Sequence, residues 1–256
     1  MARAIDLNSD LGESFGPWVM GDDASMLALV SSANVACGGH ASDPETMFAT
    51  LSEAARRGVV VGAHPGYADR EGFGRRVIPM REAEIERMAA AQIGALLAVG
   101  ALAGIKVRYV KAHGALANLA ADQRSVADAI ARATRAVTPE LALLAISGTE
   151  LEPAGRAAGL EVFSEIFADR SYLPNGRLTP RSRTGAMIED AEVAAERLIR
   201  YLETGLMPTL DGPEIPLVAH SICVHGDSPH AVGMARLVRE RLTAAGVEIR
   251  PFLAPT

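Results

Sequence analysis

The sequence predicts an α/β fold: one barrel-like domain over residues 1–256, built on about seven parallel strands. Three observations carry this. Strand-like and helix-like segments alternate along the whole chain, which is the pattern of a parallel sheet with crossover helices. The chain has 256 residues, long for an ordinary domain and normal for a (β/α) barrel. No composition break or linker divides it. The Gly-x-Gly-x-x-Gly fingerprint is absent after the first strand, which weakens a dinucleotide-binding open sheet.

The elements follow in order. Ala4 to Asn8 reads as the first strand, with Ile5 and Leu7 on one side and Asp6, Asn8 and Asp10 on the other. Asp22 or Asp23 caps a short helix to Leu29. Ser32 to Ala36 is the second strand. Asp43-Pro44 opens a helix that stops at Gly58, with an N-cap, a proline at the first position and a C-terminal glycine. Val59 to Ala63 is β-branched at its start and forms the third strand. The loop that follows is long and rich in glycine and charge, as lids and binding loops are. Pro79 to Leu102 is an Ala-rich helix with glutamates near its start. Val107 to Lys111, Leu141 to Ile146, Glu161 to Phe167 and Leu217 to Val224 read as strands, and Val247 to Arg250 as a last short one. Helices lie between them at Asp122 to Val137, up to Ala158, at Asp190 to Glu203 and at Pro229 to Ala245. A second long loop, Ser171 to Glu189, carries three arginines.

Composition bounds the function. Hydrophobic residues make up 49% and aromatics only 4%, so the core is mostly Ala, Leu, Val and Ile. The net charge of −6 argues against a nucleic-acid footprint. Two cysteines are too few for a disulfide framework. The first ten residues lack an apolar signal core, and the apolar regions are interrupted before eighteen residues. The expectation is a cytoplasmic protein with no membrane partner.

In an α/β barrel, catalytic groups come from the C-terminal ends of several strands. Here those ends carry Asp10, His40, His64, His113, Glu165 with Asp169, and His225 with Asp227. Each alone has a structural explanation; together they predict a converging polar site. Histidine and carboxylate pairs suit proton transfer near neutral pH. Lys111 is expected at the site mouth, as a point charge for a carboxylate or phosphate. Arg70, Arg75, Arg76 and Arg170 can clamp an anion. Asn8 and Glu13 share the polar face and turn of the first strand. Cys37 is read as a buried, inert thiol, and His220 and His230 as structural or surface residues. Asp10, His40 and His64 form a possible metal set, without the short spacing of the common zinc motifs. There is no P-loop and no Gly-x-Ser-x-Gly elbow.

The segments IDLNSDLGESFG (5–16), NVACGGHASDP (34–44), GAHPGYADREGFGRR (62–76), VKAHGALAN (110–118) and ICVHGDSPHAV (222–232) resemble the LamB/YcsF family. The long stretch EVFSEIFADRSYLPNGRLTPRSRTGAMIED (161–190) does so too. The resemblance implies a barrel related to deacetylases, acting as one part of a three-component enzyme. That enzyme opens the lactam 5-oxoproline to L-glutamate while hydrolysing ATP, so two partner subunits are implied. By motif, Asp10, His64, Lys111, His113, His225 and Asp227 belong in the site. The implied roles are Asp10 or His113 as base, His225 oriented by Asp227 as acid, and Lys111 as anion binder. Asn8, Glu13, His40, His64, Arg70, Arg75, Glu165 and Arg170 are expected to contact substrate. Against the family pattern, Ser9 stands for a cysteine, and Gly39, Ala112 and Ala117 for two aromatics and a proline, which would enlarge the pocket. His220, Ser221 and His230 are further departures. ATP is expected to bind mainly through the partners. Two other readings stay open: a metal-dependent amidase or deacetylase acting alone, and a non-catalytic substrate-binding subunit.

Overall fold

The computed structural model describes residues 4–227 and 230–254. The elements run β1 (Ala4–Leu11), α1 (Asp23–Leu27), β2 (Ser32–Ala36), α2 (Pro44–Arg57), β3 (Val60–His64), α3 (Glu82–Leu102), β4 (Val107–Val110), α4 (Gly114–Asp122) and α5 (Arg124–Val137). They continue with β5 (Ala142–Ile146), α6 (Leu151–Ala157), β6 (Val162–Phe167), α7 (Ala191–Thr204), β7 (Leu206–Met207), β8 (Ile215–Pro216), β9 (Ser221–Cys223), α8 (Ala231–Ala244) and β10 (Glu248–Ile249).

Seven parallel strands close a barrel in the order β1-β2-β3-β4-β5-β6-β9, and β9 returns to β1 through Asp6↔Ser221 and Asn8↔Cys223. β10 extends the sheet beside the first residues of β1. β7 and β8 form a separate antiparallel pair. The expected strands are all present, although the one expected from Leu217 pairs only over Ser221–Cys223. The segment expected as one helix from Asp122 is preceded by a further helix, α4, where the sequence pattern predicts none. The expected helix start at Pro229 lies outside the described residues.

Local chemistry sets the boundaries. Asp43 accepts a hydrogen bond from the Thr46 N–H at 2.9 Å, Pro44 opens α2, and Gly58 closes it at φ +67°. Asp190 caps α7 in the same way. α3 is long and apolar enough to cross a membrane by length and composition. No unbroken apolar run marks it in the sequence, and its Ile85, Ala89, Ile93 and Leu96 are buried against the barrel.

The two faces of β1 explain the architecture. Leu7 and Leu11 point outward into the main apolar core beside Met26, Leu27 and Leu51. Asp6, Asn8 and Asp10 point into the barrel, where a charge is tolerated only with partners. Asp6 accepts from the hydroxyls of Ser31 (2.6 Å), Ser32 (2.7 Å) and Ser221. Asn8 donates to Ser221 and accepts from Asn34, and Asn34 accepts from the Tyr109 hydroxyl. Below this polar tier, Val60, Tyr109, Ala142, Leu144, Phe163, Phe252 and Leu253 seal the other end. Gly62 in β3 admits the Tyr109 ring, which lies where a Cβ would sit.

Candidate active site

A cavity of about 620 Å³ opens at the C-terminal mouth of the barrel. Asp10, Glu13, His64, Lys111, His113, Glu165 and His225 line its floor and sides, with Arg75, Arg170, Arg181 and Asp227 among the wall residues. Most of the residues expected at the site thus converge.

Lys111 lies on the floor rather than at the mouth. It is 3% exposed, and its Nζ is 2.9 Å from Asp10 Oδ1 and 3.1 Å from Glu165 Oε2. The Glu165 contact is ionic and falls outside hydrogen-bond geometry. Burial would lower the Lys111 ammonium, but Asp10 and Glu165 hold it well above its ordinary value. Its charge is therefore committed, which corrects its expected role as a free anion binder. Burial raises Asp10, but His64 and Lys111 outweigh it and hold that carboxyl well below the usual range. Burial pushes Glu165 up. Asp10 Oδ1 also accepts from Asn34 at 2.8 Å, leaving Oδ2 beside His64 Nε2 at 3.3 Å.

The histidines are positioned by the loop after β3. Gly66 is held at both its N–H and C=O by the Gln92 amide (3.0 and 2.7 Å), and the Gln92 side chain fills the space beside Gly39. The missing aromatic at Gly39 therefore opens no cavity, whereas Ala112 and Ala117 do line the pocket. Phe73 sits at φ +53°, unusual for a bulky residue, and its carbonyl accepts from His113 Nε2 at 2.8 Å. Gly114, at φ +53°, lets the start of α4 lie against Gly74, whose carbonyl accepts from Ala115. His40 stacks on His113 at 3.6 Å between ring centres, and its Nε2 is 2.9 Å from Glu13 Oε1. Burial and the neighbouring histidines keep His40 and His113 well below the ordinary histidine value. Burial beside Asp10 pushes Glu13 up to about 8.

The other histidine pairs differently from expectation. His225 Nδ1 contacts both Asp169 oxygens at 2.9 and 2.7 Å. Burial would lower His225, but Asp169 outweighs it and raises the imidazole. Asp227 instead pairs with Arg75 at 2.5 Å. Arg70 does not line the pocket; it donates to the Gly38 and Ser42 carbonyls and stacks on Phe15. Arg76 pairs with Asp69. Asn8 and His40 lie behind the lining and not in contact with the cavity. The Cys37 thiol is buried and pushed up to about 12, which fits an inert residue. His220 is exposed, packs edge-on against Phe163 and accepts from the Ser164 N–H, and His230 is also exposed. Of the possible metal set, His40 and His64 come together with Glu13 and His113, the four residues whose ligand atoms lie within 4.8 Å of one another.

Arg181 completes the wall beyond the expected residues, while Asp169, expected beside Glu165, serves His225. Arg170 and Arg181 line the wall and form no ion pair with a carboxylate among the described residues. Arg170 is 5% exposed and donates to the Thr179 carbonyl, and its Nε lacks a partner. Burial, with Arg181 nearby, pulls it down to about 10. Burial and Arg75 likewise lower Arg181. Arg181 is one of three arginines in a loop, and nothing local in the sequence sets it apart.

The LamB/YcsF family model matches residues 5–256. The chain belongs to the LamB/YcsF family. Among other family members it is 51% identical to the A-type subunit of 5-oxoprolinase from Azorhizobium caulinodans, over 97% of this chain and 98% of that protein. It is 49% identical to the A-type 5-oxoprolinase subunit of Gluconobacter oxydans, with the same coverage. The crystal structure of the lactam utilization protein from Thermus thermophilus superposes with a TM-score of 0.91 at 44% identity, covering 96% of this chain and 99% of that one.

Proposed function

We propose that this chain is the ring-opening subunit of a 5-oxoprolinase, converting 5-oxoproline to L-glutamate together with two partner subunits that use ATP. The near-full-length identity to proteins named as A-type subunits of 5-oxoprolinase carries this reading. The pocket adds chemical support: two arginines without a carboxylate partner among the described residues line it with a histidine whose proton affinity Asp169 raises.

An unstrained five-membered lactam is a poor electrophile. Phosphorylating its amide oxygen creates an imidate-like carbon that water can attack. This chain has no P-loop, so the activation is assigned to the partners. Asp10 is suited to the remaining step. Its Oδ1 is fixed by Lys111 and Asn34, and its Oδ2 is turned toward His64. A carboxylate held so far below its usual range is a weak base. It suffices only when the carbon is already activated, which accounts for the ATP requirement.

Asp10 takes a proton from water as oxygen bonds to the ring carbon, which then carries a hydroxyl. As that hydroxyl releases its proton to solvent and the C–N bond breaks, His225, whose proton affinity Asp169 raises, gives its proton to the leaving nitrogen. The resulting acyl phosphate is hydrolysed to the γ-carboxylate and inorganic phosphate. Arg170 and Arg181 hold the substrate's carboxylate or the phosphate. His113 is less suited as base, because its Nε2–H is engaged by Phe73 and its pKa is depressed.

The test is glutamate release by the reconstituted three-part enzyme. Asp10→Asn and His225→Gln should each abolish it while the variants keep wild-type circular dichroism. Full turnover in both would refute the assignment.

A further inference from the structure

Two main-chain carbonyls fix which nitrogens of the buried histidines carry hydrogen. A carbonyl can only accept. His64 Nδ1 lies 2.8 Å from the Lys111 carbonyl, and His113 Nε2 lies 2.8 Å from the Phe73 carbonyl. Both of these nitrogens are therefore N–H donors, and in a neutral ring the opposite nitrogen is a bare lone pair. Those two bare nitrogens, His64 Nε2 and His113 Nδ1, face each other at 3.0 Å. Asp10 Oδ2 lies 3.3 Å from the first and Glu13 Oε1 3.7 Å from the second. Acceptors brought this close repel unless a cation lies among them.

We propose that His64, His113 and Glu13 bind one divalent transition-metal ion of the zinc type, with His40 holding Glu13 in place. A proton on His64 Nε2 would serve both His113 Nδ1 and Asp10 Oδ2. It would not explain why Glu13 Oε1 also lies 3.7 Å from His113 Nδ1, in a group with His40 whose ligand atoms all come within 4.8 Å of one another. The 3.0 Å spacing suits neighbouring ligands of one ion: zinc–nitrogen bonds of about 2.0–2.1 Å place them roughly 2.9–3.4 Å apart. Two histidines and one carboxylate, with further positions open, are a common set for such ions.

The surroundings are those of a built site. Each ligand histidine has its second nitrogen anchored by a carbonyl, as metal-bound histidines usually do. His40 Nε2 contacts Glu13 Oε1 at 2.9 Å, and the His40 ring is stacked on His113. Phe73 keeps a left-handed backbone while its carbonyl holds His113. The ligands come from three separate strand ends, which is why no short sequence spacing marks them. Glu13, His64 and His113 all line the cavity, so the ion's open positions face it, where it would supply Lewis acidity beside Asp10. The site does not depend on the lactam reading.

The test is made on the full chain, stripped with a chelator and titrated with Zn²⁺ by calorimetry, with Co²⁺ as a spectroscopic probe. One ion per chain is expected, with d–d bands that report nitrogen and oxygen ligands. Zn²⁺ should also raise the melting temperature of the wild-type protein, a readout that needs no variant. Glu13→Gln and His113→Asn should each weaken binding at least 10-fold, whereas His220→Gln, at an exposed histidine, should not. No stoichiometric binding and no shift in melting temperature in the wild type would overturn the proposal. So would unchanged affinity in both folded ligand variants.

Discussion

Lys111 shows what a single residue does here. Its ammonium lies between two buried carboxylates, so removing it leaves Asp10 and Glu165 uncompensated. Lys111→Met is expected to destabilise the fold by roughly 3–5 kcal/mol, because an unpaired buried charge is far costlier than a missing pair. Chemical denaturation measures this. Asp169 acts through His225. With Asp169→Asn the imidazole loses the carboxylate that raises it, so it gives up its proton at lower pH. The alkaline limb of the pH–rate profile should therefore move to lower pH, and turnover of the reconstituted enzyme should fall by about 10²-fold or more. Asp10, His64, His113 and His225 were legible in the sequence because each ends a strand in a fold that gathers its strand ends. Their partners were not. That His225 leans on Asp169 rather than Asp227, and that Lys111 is swallowed by its counter-ions, depends on how the closed barrel brings β1, β4, β6 and β9 together.

Among the strands and helices, β1 is the most readable, since its alternation of Leu and Asp can be satisfied only by an apolar outside and a polar inside. The same strand carries a pH effect. Burial pushes Asp6 up to about 6, against an ordinary value of 3.8, even though three serines hydrogen-bond to it. Between about pH 4 and 6 the folded state then holds more protons at this position than the unfolded chain does, so its contribution to stability falls as pH rises through that window. The difference in unfolding free energy between wild type and Asp6→Asn should carry that slope; a flat difference between pH 4 and 7 would contradict it. Gly62 in β3 has no side chain because the Tyr109 ring occupies the space. Gly62→Ala should cost about 1–3 kcal/mol in the same measurement, as overpacked cores do. α4 is hidden because it is short and follows the strand end at once, so the sequence pattern marks a helix only over the segment that forms α5.

The whole molecule joins a stable apolar shell to a barrel whose upper half is polar. Its cavity presents a histidine whose imidazole Asp169 raises, a fixed carboxylate and two arginines without an ion-pair partner among the described residues. The loop after β3 and the loop of Ser171 to Glu189 supply the walls, and their geometry could not be read from composition. Phe73 is held at the site by its left-handed backbone and its bond from His113, and Arg181 is placed on the wall by the second loop. On the proposed function, this chain opens a lactam which other subunits have activated. The decisive experiment is glutamate release from 5-oxoproline with ATP, by this chain alone and with its two candidate partner subunits. Release is expected only from the complete mixture, with none when Asp10→Asn replaces the wild-type chain. Release by the chain alone without ATP, or undiminished release with Asp10→Asn, would overturn the proposed function.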